Sequence, residues 1–238
     1  MKDNMYSVYT HKSNGRQLFL NKKDFFTSFN VDDAKTFLKQ IKESFWEVDK
    51  CRPRGAFYSA LRYCFAEIDM LGKFYKGELS TKNTAENSIA FMKRYMGSVN
   101  KRYKKLAGLI IDMYRHGLMH THMIKMVHLK NGKLLCWELQ DSDFINEHLK
   151  LKSANHGYNL VINVHQFIKD FLESLDKYEE DLKNKSNYLN KFKKGYFGMA
   201  VAFGEPNKGM SRRRRGRQTL IMKSYSYDSL QFLKREMK

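Results

Sequence analysis

From Asp32 onward, apolar residues recur at three- and four-residue spacing, the period of a helix with one buried face. Ala34, Phe37, Leu38, Ile41, Phe45 and Val48 make the first such face, with Asp32 or Asp33 placed to cap it. Arg52-Pro53 ends that helix, because proline disfavours helical geometry in the residue before it and suits the first turn of the next. A second face follows in Phe57, Ala60, Leu61, Cys64, Phe65, Ile68 and Leu71, closing near Gly72 or Gly77. Thr84 is placed to cap a third helix, with Ile89, Met92, Met96, Val99 and Tyr103 facing inward. A fourth runs from about Leu106 to Met119 on Leu106, Leu109, Ile110 and Met113.

The period then changes. Met126–Leu129, Asn131-Gly132 and Leu134–Leu139 predict a β-hairpin, with Asn-Gly as a two-residue turn in which both positions take positive φ. His148–Lys152 alternates as a short strand would, and Gln17–Leu20 is a further candidate for a short strand. A fifth helix is expected from about Asn159 to Lys183 on Val161, Val164, Phe167, Ile168, Phe171, Leu172, Leu175 and Leu182. The expected architecture is mainly α, a bundle of about five helices with a small hairpin near residues 126–139. Residues 1–184 would form this domain and residues 185–238 a basic, partly flexible extension, ordered around Tyr196–Phe203.

Charge sharpens the picture. The chain carries 44 Lys and Arg against 25 Asp and Glu, a net +19. More than half of that excess falls in 185–238, where eight lysines and six arginines face only Glu205, Asp228 and Glu236. Such a surface attracts polyanions, and nucleic acid is the partner it suggests, RNA first. The run Arg212, Arg213, Arg214, Arg215 with Arg217 is the candidate backbone clamp, with Tyr225 and Tyr227 near it for base stacking; a solvated loop is the plainer reading. Cys51, Cys64 and Cys136 make neither a disulfide framework nor a zinc motif, which points to reduced thiols in a cytoplasmic protein. Neither a leader peptide at the N-terminus nor a membrane-spanning apolar run is visible, so no membrane is expected. No glycine loop for a nucleotide phosphate is present either.

Chemistry concentrates in Asp112-Met-Tyr-Arg115-His116-Gly-Leu-Met-His120-Thr-His122. Histidine moves protons near neutral pH and arginine holds phosphate in a fixed orientation. RNA cleavage needs a base for the 2′-hydroxyl, an acid for the leaving oxygen, and positive charge on the transition state. The spacing of Arg115 and His120 resembles the Arg-x4-His signature of HEPN domains, found near the end of an inner helix of an all-α bundle. The resemblance implies a dimeric, metal-independent endoribonuclease with no cofactor, acting in defence or stress. In it Arg115 would hold the scissile phosphate, His120 would act as acid or base, and His116 would support them. Glu67 or Asp69, on the second helix, would orient the arginine or histidine, and His122 stands where toxin members of the family carry a tyrosine. That departure leaves their particular regulation unassigned here.

Arg115 and His120 lie about 140° apart around an ideal helix, so one helix does not present both to one phosphate. A long arginine, a distortion near Gly117 or a second subunit would resolve this. Two other readings stand beside the nuclease. Asp112, His116 and His120 line one helical face, but three ligands on successive turns span about 12 Å, too far for one ion. The other is a binding or dimerisation module of the same fold that lacks catalysis.

Overall fold

The computed structural model describes residues 5–8, 18–51, 56–78, 83–121, 123–141 and 147–201. The chain is mainly helical, with a small four-stranded mixed sheet. Two compact units are distinguished: Phe25–Tyr196, which holds the helical bundle and the sheet, and a second formed by Met1–Asp24 with Phe197–Lys238. Within the latter, β1 (Met5–Val8) pairs antiparallel with β2 (Leu18–Asn21), so the strand expected at Gln17–Leu20 forms one residue later.

The bundle is built from α1 (Lys22–Ser28), α2 (Val31–Cys51), α3 (Phe57–Lys76), α4 (residues 84–99), α5 (residues 103–121), α6 (Val164–Asn184) and α7 (Ser186–Val201). Helix α2 starts on Asn30, whose Oδ1 accepts from Asp32 N–H at 2.7 Å while Asp33 Oδ2 accepts from Asn30 N–H at 2.8 Å. Asp33 thus closes the cap from inside the helix, and Asn30 is the capping residue. Helix α3 ends at Gly77, where φ of 72° is the left-handed geometry glycine adopts without strain. Gly72 lies inside α3, where a Cβ would stand 2.6 Å from the Asn87 carbonyl carbon. The backbone of α4 therefore passes directly against α3 at this residue. Helix α4 begins at Thr84 with Asn83 at the cap position, so Thr84 is the first helical residue and not its cap.

Helices α4 and α5 each contain a π turn, Met92–Met96 and Ile111–Arg115. Gly97 N–H donates to the Met92 carbonyl and His116 N–H to the Ile111 carbonyl, five residues back instead of four. In α5 the buried face is Ala107, Ile110, Ile111, Met113, Tyr114 and Leu118; the expected Leu106 and Leu109 are only half-buried. Tyr103, expected on the third helix, is the first residue of α5.

Aromatic side chains fill the core. Phe45 meets Phe171 at 5.2 Å and Tyr63 at 4.7 Å, and Phe65 meets Phe167 at 5.4 Å, joining α2, α3 and α6. Phe192 of α7 packs 4.8 Å from Phe74, with Phe29 and Phe37 around it. Each fully buried phenylalanine contributes about 2–3 kcal/mol. Up to Tyr196, α7 therefore belongs with the bundle, whereas the division expected at 184/185 falls between two helices of one unit.

The sheet runs in the order β3 (Val127–His128), β4 (Leu134–Gln140), β6 (Gly157–Asn163), β5 (Leu151–Ala154). The expected hairpin is present, pairing Val127 with Leu135. Its loop is three residues long, closed by Leu129 N–H donating to the Lys133 carbonyl, and only Gly132 has positive φ. That is the longer hairpin turn with glycine in the left-handed position, not the two-residue Asn-Gly turn. β4 and β6 are parallel in register from Leu134↔Gly157 to Gln140↔Asn163. Residues 159–163, expected as the start of the fifth helix, are thus a strand. Leu160-Val161-Ile162 is fully buried between β4 and β5, and short apolar runs of this kind fit a central strand as well as a helix. The helix begins at Val164, with Asn163 Oδ1 accepting from Gln166 N–H at 3.0 Å as its cap. The strand expected at His148–Lys152 begins instead at Leu151, because Leu149 takes φ of 61° and its N–H bonds the Val161 carbonyl. Among the described residues no helix is long and apolar enough to cross a membrane.

Candidate active site at the end of helix α5

Several independent contacts fix the segment carrying Arg115. Tyr114 is buried and its hydroxyl donates to the Leu160 carbonyl of β6 at 2.8 Å, which pins α5 to the sheet. One helical turn on, Gly117 lies under the returning chain, where a Cβ would stand 2.2 Å from the Met123 carbonyl oxygen. That approach lets Lys125 N–H donate to the Met113 carbonyl at 2.9 Å, inside the π turn. Residues on both sides of Arg115 are therefore anchored.

The arginine itself is paired with Asp69 of α3. Nε donates to Oδ2 at 2.9 Å and Nη2 to the same oxygen at 2.7 Å, with Nε also 3.3 Å from Oδ1. Both side chains are nearly dry, 13% and 14% exposed. Asp69 is held in turn by Ser88 of α4, whose hydroxyl donates to Oδ1 at 2.6 Å. Ser88 reaches it because Gly72, three residues beyond Asp69, lets α4 come close. The resulting chain, Ser88–Asp69–Arg115, sets the guanidinium plane with little freedom left to it. Ser88 carried no signal in the sequence; only the α3–α4 approach assigns it.

Of the two carboxylates expected near the motif, Asp69 is the one at Arg115. Glu67, about 200° away around α3, faces elsewhere. It is hydrogen-bonded with Tyr63, and burial raises its carboxyl above the usual range. Its Oε2 is buried with no hydrogen-bond partner among the described residues. It does not support the Arg115 site.

His116 is 3.5 Å through Nδ1 from Asp112 Oδ1, one turn back on the same helix. His120 lies in the helical segment His116–Thr121, but its side chain is outside the described residues, as is the whole of His122. The helix is regular over His116–Thr121 and its distortion is the π turn Ile111–Arg115, before Gly117 and not at it. Arg212, Arg213, Arg214, Arg215, Arg217, Tyr225 and Tyr227 also lie outside the described residues. Among the described residues, no group of three His, Cys, Asp or Glu side chains is gathered as a metal ion would require.

A second histidine constellation was not singled out by the sequence. His148, Tyr103 and Asp170 meet in the core, with Tyr103 Oη 2.8 Å and Asp170 Oδ2 3.5 Å from His148 Nε2. Asn163 N–H donates to His148 Nδ1 at 3.1 Å, so that nitrogen is an acceptor and the ring proton sits on Nε2. Gln166 donates to Asp170 Oδ1 at 2.6 Å. Burial, then the nearby Asp170 charge, pushes the Tyr103 phenol well above its usual range. All three side chains are under 8% exposed, which suits a polar brace joining α5, α6 and the sheet, not a substrate site. Only Asp170 gave a sequence signal, as a carboxylate among Phe167, Ile168, Phe171 and Leu172 on the α6 stripe; Tyr103 and His148 have charged neighbours and gave none.

Comparison of the chain with family models, with curated proteins and with solved structures finds no match.

Proposed function

We propose that the protein is a metal-independent endoribonuclease whose phosphate-holding residue is Arg115. The observation that carries this reading is the oriented guanidinium: bidentate to Asp69, nearly dry, and on a helix whose next turns bear His116 and His120. A carboxylate on Nε and Nη2 orients the guanidinium, and fixed positive charge in a largely buried setting is what a developing phosphorane requires. In this reading the 2′-oxygen attacks phosphorus as the bond to the 5′-oxygen breaks. His120 takes or gives the proton, and His116 supports it. Because the two residues are offset around α5, a second copy of the chain would supply the histidine for each arginine. The role in defence or stress follows the HEPN resemblance alone.

The same pair supports a second reading. An ion pair tying α3 to α5 stabilises the bundle with no substrate present, as expected of an RNA-binding module without turnover. Cleavage of RNA in excess chelator separates the two. Wild-type cleavage that is lost in Arg115→Ala and His120→Ala, and on substrates with 2′-deoxyribose at the scissile position, supports the nuclease. Cleavage that survives both substitutions removes this site, and salt-sensitive binding with no cleavage leaves the binding module.

A further inference from the structure

One group of side chains, on α3, α4 and the start of α7, takes no part in the proposed cleavage. Tyr75, near the end of α3, and Tyr188, in the first turn of α7, stack with ring centroids 5.9 Å apart and planes 14° from parallel. Both are half-buried. Cations surround the pair. Lys76 lies 5.7 Å from the Tyr75 centroid, Lys185 5.4 Å from that of Tyr188, and Lys191 6.0 and 5.7 Å from the two rings. Arg94, on the π turn of α4, sits 5.8 Å from the Tyr95 ring, which meets Tyr75 edge-on.

One carboxylate stands among these four cations. Asp181 accepts from Lys185 at 2.6 Å, from Arg94 at 3.1 Å and from the Tyr95 hydroxyl at 3.2 Å. Among the described residues, Lys76 and Lys191 have no carboxylate partner. Gly77 brings α3 and α7 together here, its Cβ position lying 3.2 Å from Lys191 Cα, so both rings, Lys76 and Lys191 come from helices, and Lys185 is the single residue joining α6 to α7.

We propose that the Tyr75–Tyr188 stack and its lysines form a holding site for single-stranded RNA, separate from Arg115. The chemistry is that of strand-tracking surfaces: aromatic faces for bases, with cations spaced around them for the phosphates. Ammonium groups resting on partly exposed rings gain little from them, so they move to a phosphate at small cost when a base takes the ring face. The choice of RNA rests on the function proposed above, but the site concerns binding and makes no use of the cleavage residues. An acidic protein would satisfy the lysines and leave the stacked rings without purpose.

The test uses the full chain and a 5′-fluorescein dodecauridine, read by fluorescence anisotropy in the Arg115→Ala background so that cleavage does not intrude. Tyr188→Leu is expected to weaken binding about tenfold, while Tyr188→Phe binds as the parent. Lys76→Ala/Lys191→Ala is expected to make the slope of log K against log salt shallower by about 1.4, at about 0.7 per phosphate contact on a single strand. Circular dichroism melts verify folding, and the lysine pair keeps the test decisive should Tyr188→Leu fail to fold. Unchanged affinity and slope in folded variants overturn the proposal. So does a loss seen equally with an RNA duplex or with polyglutamate, which would mean charge without stacking. A wild-type protein that never cleaves RNA but shows these losses retires the nuclease and leaves this site standing.

Discussion

Two arginines in this molecule are delivered by the same device and put to opposite use. Arg94 lies within the π turn of α4 and Arg115 at the end of the π turn of α5, and each pairs with an aspartate of another helix. Arg94 reaches Asp181 through one nitrogen, is 47% exposed, and shares that carboxylate with Lys185 and Tyr95. Arg115 is bidentate on Asp69 and 13% exposed, and the carboxylate is braced by Ser88. A π turn adds a residue to the helix and turns the local side chains relative to the regular stripe. The surroundings then decide whether the arginine becomes surface charge or a fixed donor.

The largest difference should be catalytic. In single-turnover cleavage of a labelled RNA, Arg115→Ala is expected to lower the rate by about three orders of magnitude, the upper range for removing one transition-state donor. Arg94→Ala should leave the rate constant at saturating RNA within twofold. Equal losses at saturation would mean that Arg115 has no special place in the chemistry.

Stability comes next. Removing Arg115 strands Asp69 in a nearly dry place, for a loss of about 3–5 kcal/mol in urea unfolding. Removing Arg94 should cost no more than about 1 kcal/mol, since Arg94 is half-exposed and Lys185 and Tyr95 still bond the Asp181 carboxylate. The double replacement Asp69→Leu/Arg115→Met should recover much of the first loss, because no lone charge remains buried. If it fails to, packing and not charge is what Arg115 supplies.

Gly117 tests whether the setting of Arg115 depends on the returning chain. Gly117→Ala puts a methyl 2.2 Å from the Met123 carbonyl oxygen, which the backbone must relieve. The expected cost is about 1–3 kcal/mol in the same unfolding assay, with a fall in cleavage larger than the stability loss explains. Dodecauridine binding at Tyr188 should be untouched. A variant that cleaves normally would show that residues 123–125 do not hold the site.

The sequence carried much of the bundle and less of the site. The stripes of α2 and α3 were legible because both helices keep an unbroken 3.6 period; Ala34, Leu38, Ile41 and Phe45 are buried, as are Ala60 through Phe74 at that spacing. The start of α6 was not legible, because Leu160-Val161-Ile162 is a short apolar run directly before it and no period distinguishes strand from helix there. The π turns were hidden for a related reason: nothing in Ile111–Arg115 departs from helix-forming composition. Glu67 and Asp69 flank the apolar stripe of α3 on opposite sides. Which of them meets Arg115 depends on which neighbour packs on which side, a fact of tertiary arrangement.

The smallest expected effect concerns Asp181, the carboxylate that Arg94 shares. Burial works against the Asp181 carboxylate, but hydrogen bonds from Lys185, Arg94 and Tyr95 outweigh it and hold the group below its ordinary range. A folded-state pKa below the unfolded value means that the ionised form favours folding. That contribution is complete above the ordinary carboxylate pKa and is lost as pH falls through the lowered one. Asp181→Asn should therefore cost at most about 1 kcal/mol near neutral pH, and its urea midpoint should converge on that of the wild type as the medium becomes strongly acidic. A gap that persists in acid would show that Asp181 acts through geometry, and would draw the Arg94 pair closer in kind to Arg115–Asp69 than their exposures suggest.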